Sequence, residues 1–255
     1  MSGLTKLYFG WSAYFSEVWT APHLPVAVKD LYAPDGIRLC SGSVNRGKVM
    51  LILEAGADHA PQWIAGRLKG RLNHFLKKAY PDFPGFDRSF FFQSLGQNDR
   101  RIVSAYVQNQ VKSSDLVDPL YRRRMNELRF HEEGESKRST SHRGRYDLVV
   151  HVVLIIANRH RIFSAEARKV FEGLLGACRV LDAKAFDISM MPDHAHLMIG
   201  WPSELSADEL LEGLKRESGK RMRRSAYWQD GGYVGTVGPY KMSVAVAKNR
   251  GFGGW

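Results

Sequence analysis

Cysteine is scarce in this chain of 255 residues: Cys40 and Cys178 are the only two, far apart in sequence. Two isolated thiols exclude a disulfide-stapled scaffold and a cysteine-ligated zinc module, and they read as small buried residues in a reducing compartment. Long apolar runs are missing as well. The best candidate, Leu148 to Ala157, is too short to span a bilayer and contains His151. No basic segment followed by an apolar run opens the chain, so no signal peptide is expected and a soluble cytoplasmic protein is the expectation. Negative charge is in short supply too: 26 Asp and Glu stand against 37 Lys and Arg, a formal net charge of +11. That balance points to a polyanionic partner, nucleic acid first, and to no membrane.

What the chain does contain is alternating strand and helix signals. Residues 4 to 19 are rich in aromatics and predict an opening strand, with a short helix over 26 to 33. Ile37 to Ser43 and Val49 to Leu53 predict strands around the turn Asn45-Arg46-Gly47. Trp63, Ile64, Leu68, Leu72, Phe75 and Leu76 have helical spacing within Pro61 to Tyr80. Phe90-Phe91-Phe92 is a short strand; Asp99 to Gln110 and Leu120 to Phe130 predict helices. Residues 131 to 145 hold no large apolar side chain and predict a flexible linker between a first domain, 1–130, and a second, 146–255. Beyond it come strand Leu148 to Ala157, helix Ala165 to Val180, strand Ala185 to Met190, an apolar strand ending at Gly200, a basic helix from Ala207 to Arg224, and a short tail.

The strand before Gly200 carries the chemistry. In Met191-Pro-Asp-His-Ala-His-Leu-Met-Ile-Gly200, His194 and His196 flank one small residue. Side chains two apart on a strand share a face, with Cα atoms roughly 7 Å apart, so the two imidazoles can share one metal ion. By itself such a pair is a weak motif, and packed core histidines are the plainer reading.

The two sides of the linker resemble each other. With Leu214-Lys215 set on Leu68-Lys69, the stretch Asp193 to Ile199 falls without a gap on Gly47 to Leu53. Each half then offers a strand, a loop and a basic amphipathic helix, and Tyr233 to Gly238 falls near Phe91 to Gly96 once a gap is allowed. Arg67, Lys69 and Arg71 in one helix match Lys215, Arg216, Lys220, Arg221, Arg223 and Arg224 in the other, and the two clusters predict a DNA track.

At these residues the chain resembles the small single-tyrosine HUH transposases of bacterial insertion sequences and their repeat-element-associated relatives. Met-Pro-Asp-His-Ala-His-Leu-Met-Ile is similar to the family's His-hydrophobic-His strand, Arg145 to Val153 to its opening strand, and Trp228 to Gly238 to its Trp-Gln…Tyr…Val-Gly stretch. The family's last helix carries Tyr-x-x-x-Gln, the tyrosine as nucleophile and the glutamine as third metal ligand. Here the tail from Met242 to Arg250 lacks that motif, which stands in the first half as Tyr106-Val-Gln-Asn-Gln110; the first half in turn has Lys48 and Met50 where the histidines belong. No third clustered histidine follows the pair, which disfavours a relaxase or replication initiator.

The resemblance implies an α+β fold of two ferredoxin-like repeats, antiparallel sheets with helices on one face, forming a pseudo-twofold fused dimer. It implies one composite site, with Tyr106 as nucleophile and His194, His196 and Gln110 holding Mg²⁺ or Mn²⁺, although two imidazoles also suit Zn²⁺. A tyrosine hydroxyl is a weak nucleophile at neutral pH, so the metal would polarise the scissile phosphate. The expected substrate is single-stranded DNA, hairpin-forming, cut and rejoined through a 5′-phosphotyrosine. The alternative is a domesticated, catalytically silent hairpin-binding protein. A site completed within one chain avoids the cost of bringing two molecules together. The working unit is then a monomer with pseudo-twofold symmetry, or a dimer of fused dimers if the halves exchange between chains.

Overall fold

The computed structural model describes residues 6–17, 19, 24, 26–114, 116–134, 139–141, 144–222 and 227–250. The first half opens with strand β1 (Leu7–Phe15), two short 3-10 segments, β2 (Arg38–Asn45) and β3 (Lys48–Ala55). Arg46 and Gly47 both take positive φ, 48° and 71°, in a two-residue loop between β2 and β3. Such a loop twists with the strands it joins, and it places Lys48 at the first position of β3. Helix α1 (Pro61–Ala79) follows, then β4 (Phe86–Leu95), α2 (Arg100–Gln108) and α3 (Pro119–Glu127). β5 (Arg129–His131), β6 (Ser139–Ser141) and β7 (Gly144–Asp147) span the junction, and the second half continues with β8 (Val149–Ile155), α4 (Ser164–Val180), β9 (Ala185–Met190), β10 (His194–Gly200), α5 (Ala207–Gly219), β11 (Tyr233–Val237) and α6 (Met242–Arg250). Among the described residues no helix is long and apolar enough to cross a membrane.

Two sheets form, ordered β2-β3-β1-β4-β7-β6 and β11-β8-β10-β9-β5, and the fold is α+β. Leaving out β5, β6 and β7, the two orders are the same: β2, β3, β1, β4 in one and β9, β10, β8, β11 in the other. All pairings are antiparallel except β4 with β7. The two ferredoxin-like repeats expected from the sequence are present, each with a central strand pair and a long helix after its third strand.

Four backbone hydrogen bonds between the halves form two exchanged pairs. Gln62 donates its amide to the Ser203 carbonyl and Asp208 donates to Ala57; Arg100 donates to Gly238 and Met242 to Gly96. In the repeat alignment Ala57 matches Ser203 and Gln62 matches Asp208, so each bond of the first pair is the other's image. The same holds for Gly96 with Gly238 and Arg100 with Met242.

The helices are exchanged as well. α1 packs its buried stripe, Ile64, Leu68, Leu72 and Leu76, into the main core; α4 and α5 do the same with Val170, Leu174, Leu210 and Leu214. The opposite face of each sheet is covered by a helix from the other half. Val103 and Val107 of α2 pack on Val149, Phe186, Met198 and Val237, and Ala245 of α6 packs on Ile52 and Leu95.

Within 131–145, expected as a flexible linker, residues 131, 139–141 and 144–145 lie in strands, while 135–138 and 142–143 lie outside the described residues. β5 adds to the second sheet beside β9, while β6 and β7 extend the first sheet beyond β4. The reason is local. Gly144 sits so close to Phe90 that an added Cβ would lie 2.4 Å from its ring, and Tyr146 is buried edge-on to Phe90 and Phe92. A backbone ladder needs no apolar side chain of its own at a sheet edge, so composition alone does not reveal it. The expected helix to Phe130 stops at Glu127, and the tail after Gly238 forms α6.

Candidate active site

Alternation along β10 sends His194, His196 and Met198 to one face and Ala195, Leu197 and Ile199 to the other, into the main core. α2, from the other half, lies across the histidine face. Its start is capped by Asp99, whose carboxylate accepts from the Ile102 amide at 3.1 Å. Its end is tied down more firmly. The Gln108 amide donates to Asp187 Oδ1 at 2.7 Å and to the Phe130 carbonyl at 3.0 Å, and Arg129 donates to the Gln108 carbonyl at 2.9 Å. Asp187 is fully buried and also accepts from His131 Nδ1 at 2.7 Å. A buried carboxylate held by such donors fixes whatever bonds to it, since losing a partner exposes the full desolvation penalty.

Tyr106 therefore stands over the histidines. Its ring is edge-on to His196 at 5.4 Å and to His151 at 5.9 Å between centroids. It remains 53 % exposed, so the phenol is open to a large substrate. The nucleophile candidate of the first half and the histidines of the second are brought together within one chain.

His194 Nδ1 lies 2.6 Å from Asp193 Oδ1, and His196 Nδ1 lies 3.1 Å from Nε2 of His151 on β8. The His151 and His196 rings stack with a 13° interplanar angle. Burial pushes the His151 imidazole down to about 4, and burial with the neighbouring His151 and His194 pushes His196 down to about 3. Burial pushes the Asp193 carboxyl up, but the bond to His194 and the nearby Arg159 outweigh it and hold it below the usual range. His151 and His196 are thus neutral near pH 7. With Nδ1 of His194 donating to Asp193 and Nδ1 of His196 donating to His151, Nε2 of each ring would be left free to ligate. Imidazoles with the second nitrogen held in this way are the usual form of metal-ligating histidine. Among the described residues no group of three or more His, Cys, Asp or Glu side chains is arranged to hold a metal. The metal-capable core is the His194/His196 pair, and a third protein ligand would be of another residue type.

Gln110 is placed differently from the expectation that it shares a helix face with Tyr106. α2 ends at Gln108 with Asn109 as its cap, so Gln110 lies in the turn beyond. Its side-chain amide bends back to donate to the Tyr106 carbonyl at 3.3 Å, and among the described residues no hydrogen bond joins it to either histidine.

The expected DNA track is largely occupied by other partners. Arg71 pairs with Asp35, Nε to Oδ2 at 2.5 Å, and Lys69 donates to the carbonyls of Asp87 and Arg88. Arg67 is exposed but lies over the Trp63 ring at 5.1 Å. In α5 and the turn after it, Lys215 pairs with Glu212, and Arg216 and Lys220 both pair with Glu217. Arg221 lies in the 3-10 segment Lys220–Met222, and Arg223 and Arg224 lie outside the described residues. α5 covers the face of the second sheet opposite the histidines, so Lys215, Arg216 and Lys220 do not surround Tyr106.

Sequence reasoning missed His151 and Gln108 and gave Tyr233 no place beside the histidines. His151 was noted only as an interruption of an apolar strand, yet a lone imidazole inside Val149-Val150-His151-Val152-Val153 was itself the signal. The Tyr233 ring lies 5.6 Å from His151, and a cavity of about 450 Å³ opens beside both, reaching Tyr8 and Asn98 of the first half. A comparison with curated proteins gave no match. A family model described as Transposase IS200 like matches residues 145–247, a span that holds His151, His194 and His196 and leaves out Tyr106. The histidine-bearing half of this chain is thus similar to the IS200-like transposases.

Proposed function

We propose that this chain cuts and rejoins single-stranded DNA at one composite site, with Tyr106 as nucleophile and a divalent cation, Mg²⁺ or Mn²⁺, held by His194 and His196. The observation that carries the reading is the ring contact between Tyr106 of the first half and His196 of the second. The exchanged hydrogen bonds and crossed helices support a chain built as two fused copies of a dimer-forming unit, with α2 delivered across the interface.

The Tyr106 hydroxyl attacks the scissile phosphorus, its proton leaving to solvent. A phosphotyrosine bond forms to the 5′ side, the P–O3′ bond breaks, and the departing 3′ oxygen takes up a proton. The reverse attack by a 3′-OH rejoins the strand, so no nucleoside triphosphate is consumed. When bound, the cation would supply charge neutralisation at the phosphate. His194 and His196 would hold it through Nε2, with Asp193 and His151 fixing their ring orientations. Gln110 would join as a third ligand only after releasing the Tyr106 carbonyl.

The test is incubation with Mn²⁺ and a pool of labelled single-stranded hairpins. A denaturation-resistant adduct that maps to Tyr106, and is lost in Tyr106→Phe, is expected. An adduct on Tyr233 would reassign the nucleophile. Tight hairpin binding with no adduct under any metal would favour the silent binding protein.

A further inference from the structure

The pseudo-twofold relation generates a second cavity, and different residues stand at its equivalent positions. Lys48 opens β3 as His194 opens β10, and Met50 stands for His196. Gly10 pairs with Ile52 as His151 pairs with Met198, so Gly10 takes the place of His151. Lys248 occupies the same place in the nine-residue helix α6 as Tyr106 does in the nine-residue α2. Nucleophile and imidazoles are all gone, and two of the four positions are now lysine.

The cavity has not closed. It holds about 340 Å³ and is lined by Lys48, Met50, Gln93, Tyr240, Lys248 and Asn249 among others, with no carboxylate among its described residues. Neither lysine makes an ion pair or hydrogen bond among the described residues. Instead the Lys48 ammonium lies 5.4 Å from the centroid of the Tyr14 ring, and that of Lys248 lies 5.4 Å from the centroid of the Tyr240 ring. Gln93 donates to the Tyr240 hydroxyl at 3.1 Å, and Asn249 is pinned by Ser41 and Ser43, so the wall from which Lys248 projects is rigid. Two unpaired ammonium groups on opposite walls, with aromatic rings beside them and no negative charge, make a receptor for a phosphodiester and its stacked base.

We propose that this second cavity binds single-stranded DNA through its phosphate backbone without cutting it, Lys48 and Lys248 neutralising the phosphates. The proposal rests on the reading above that single-stranded DNA is the substrate. The chain would then hold two strand segments, one at Tyr106 and one on the opposite sheet, of which only the first is cleaved.

The test uses full-length protein in a Tyr106→Phe background, so that the readout is binding alone. Anisotropy of a fluorescent thirty-nucleotide oligo(dT) is measured across a salt series for the parent, for Lys48→Gln with Lys248→Gln, and for a control, Lys77→Gln with Lys78→Gln, two exposed lysines at the end of α1. Each lost contact to a single strand lowers the slope of log affinity against log salt by about 0.7, so the cavity variant should lose about 1.4 in slope and roughly tenfold or more in affinity at low salt. The control should keep the parent slope. Excess dTMP or inorganic phosphate should compete weakly, because each offers a single phosphate. An unchanged slope in the cavity variant, or an equal drop in the control, overturns the proposal, as does displacement of the oligonucleotide by millimolar phosphate alone. Urea midpoints for every variant check folding, and single Lys→Gln variants replace the double variant if it is unfolded. Loss of adduct formation elsewhere with retained lysine dependence would refute the Tyr106 reading and leave this one standing; absence of binding by the parent would refute both.

Discussion

Acidification should unfold this protein through its histidine stack. His151 and His196 sit near 4 and 3 in the folded chain, against about 6.5 for an exposed imidazole. Both folded values are depressed, because burial penalises the charged form of a base. Above pH 6.5 neither state binds the proton and the pair contributes no pH dependence. Below 6.5 the unfolded chain takes up protons that the folded chain refuses, so stability falls as pH drops, with a limiting slope of about 1.4 kcal/mol per pH unit for each ring. Between pH 7 and pH 5 this amounts to roughly 2 kcal/mol for each, or about 3–4 kcal/mol together. Urea unfolding at the two pH values measures it, with His151→Gln, His196→Gln as reference, so that other titrating groups cancel. The wild type should lose about 3–4 kcal/mol more than the double variant. Equal losses in both proteins would mean the rings are charged or solvated in the folded state, and the assignment of neutral Nε2 ligands would fall with them.

Removing the anchor of α2 in Gln108→Ala breaks the bond to buried Asp187 and should cost about 2 kcal/mol; adduct formation should drop further than DNA affinity, and an unaffected adduct yield would show that Tyr106 is not positioned through Asp187. Equimolar Tyr106→Phe and His194→Ala proteins, each with one broken half-site, should remain inactive when mixed, because Tyr106 already contacts the histidines of its own chain; recovered cleavage, read on a denaturing gel, would reveal exchange of halves between chains. Gly144→Val drives a side chain into the Phe90 ring and should lower stability by about 1–3 kcal/mol, seen in the urea midpoint; an unchanged midpoint would show that β7 is not held against β4.

Much of this was legible because local signals agreed. The stripe Ile64, Leu68, Leu72 and Leu76 predicted α1 and is buried throughout. The gapless match of Asp193–Ile199 to Gly47–Leu53 located β10 and β3 in equivalent places. The strands that cross between halves were hidden, since β5, β6 and β7 are short and polar and their stability comes from a ladder with distant partners. The partners of the basic helices were legible only in part. Glu217 stands one residue from Arg216 and was readable as a competitor for its charge, but Asp35 reaches Arg71 only after the chain has folded. Gln110 was placed by assuming that the helix continues, whereas the turn at Asn109 ends it. α6 lacks an apolar period, and the two lysines at the second cavity acquire meaning only when the strands are superposed.

The crossing of α2 and α6 has a consequence for inheritance. In an assembly of two identical chains, every codon change alters both sites together, and a substitution that spoils one spoils its twin. Here the site over β10 draws on codons 106, 151, 194 and 196, and the one over β3 on codons 10, 48, 50 and 248. No codon serves both. A substitution at codon 48 or 248 therefore leaves the residues at 106, 151, 194 and 196 untouched, and the two cavities can differ in chemistry within one chain.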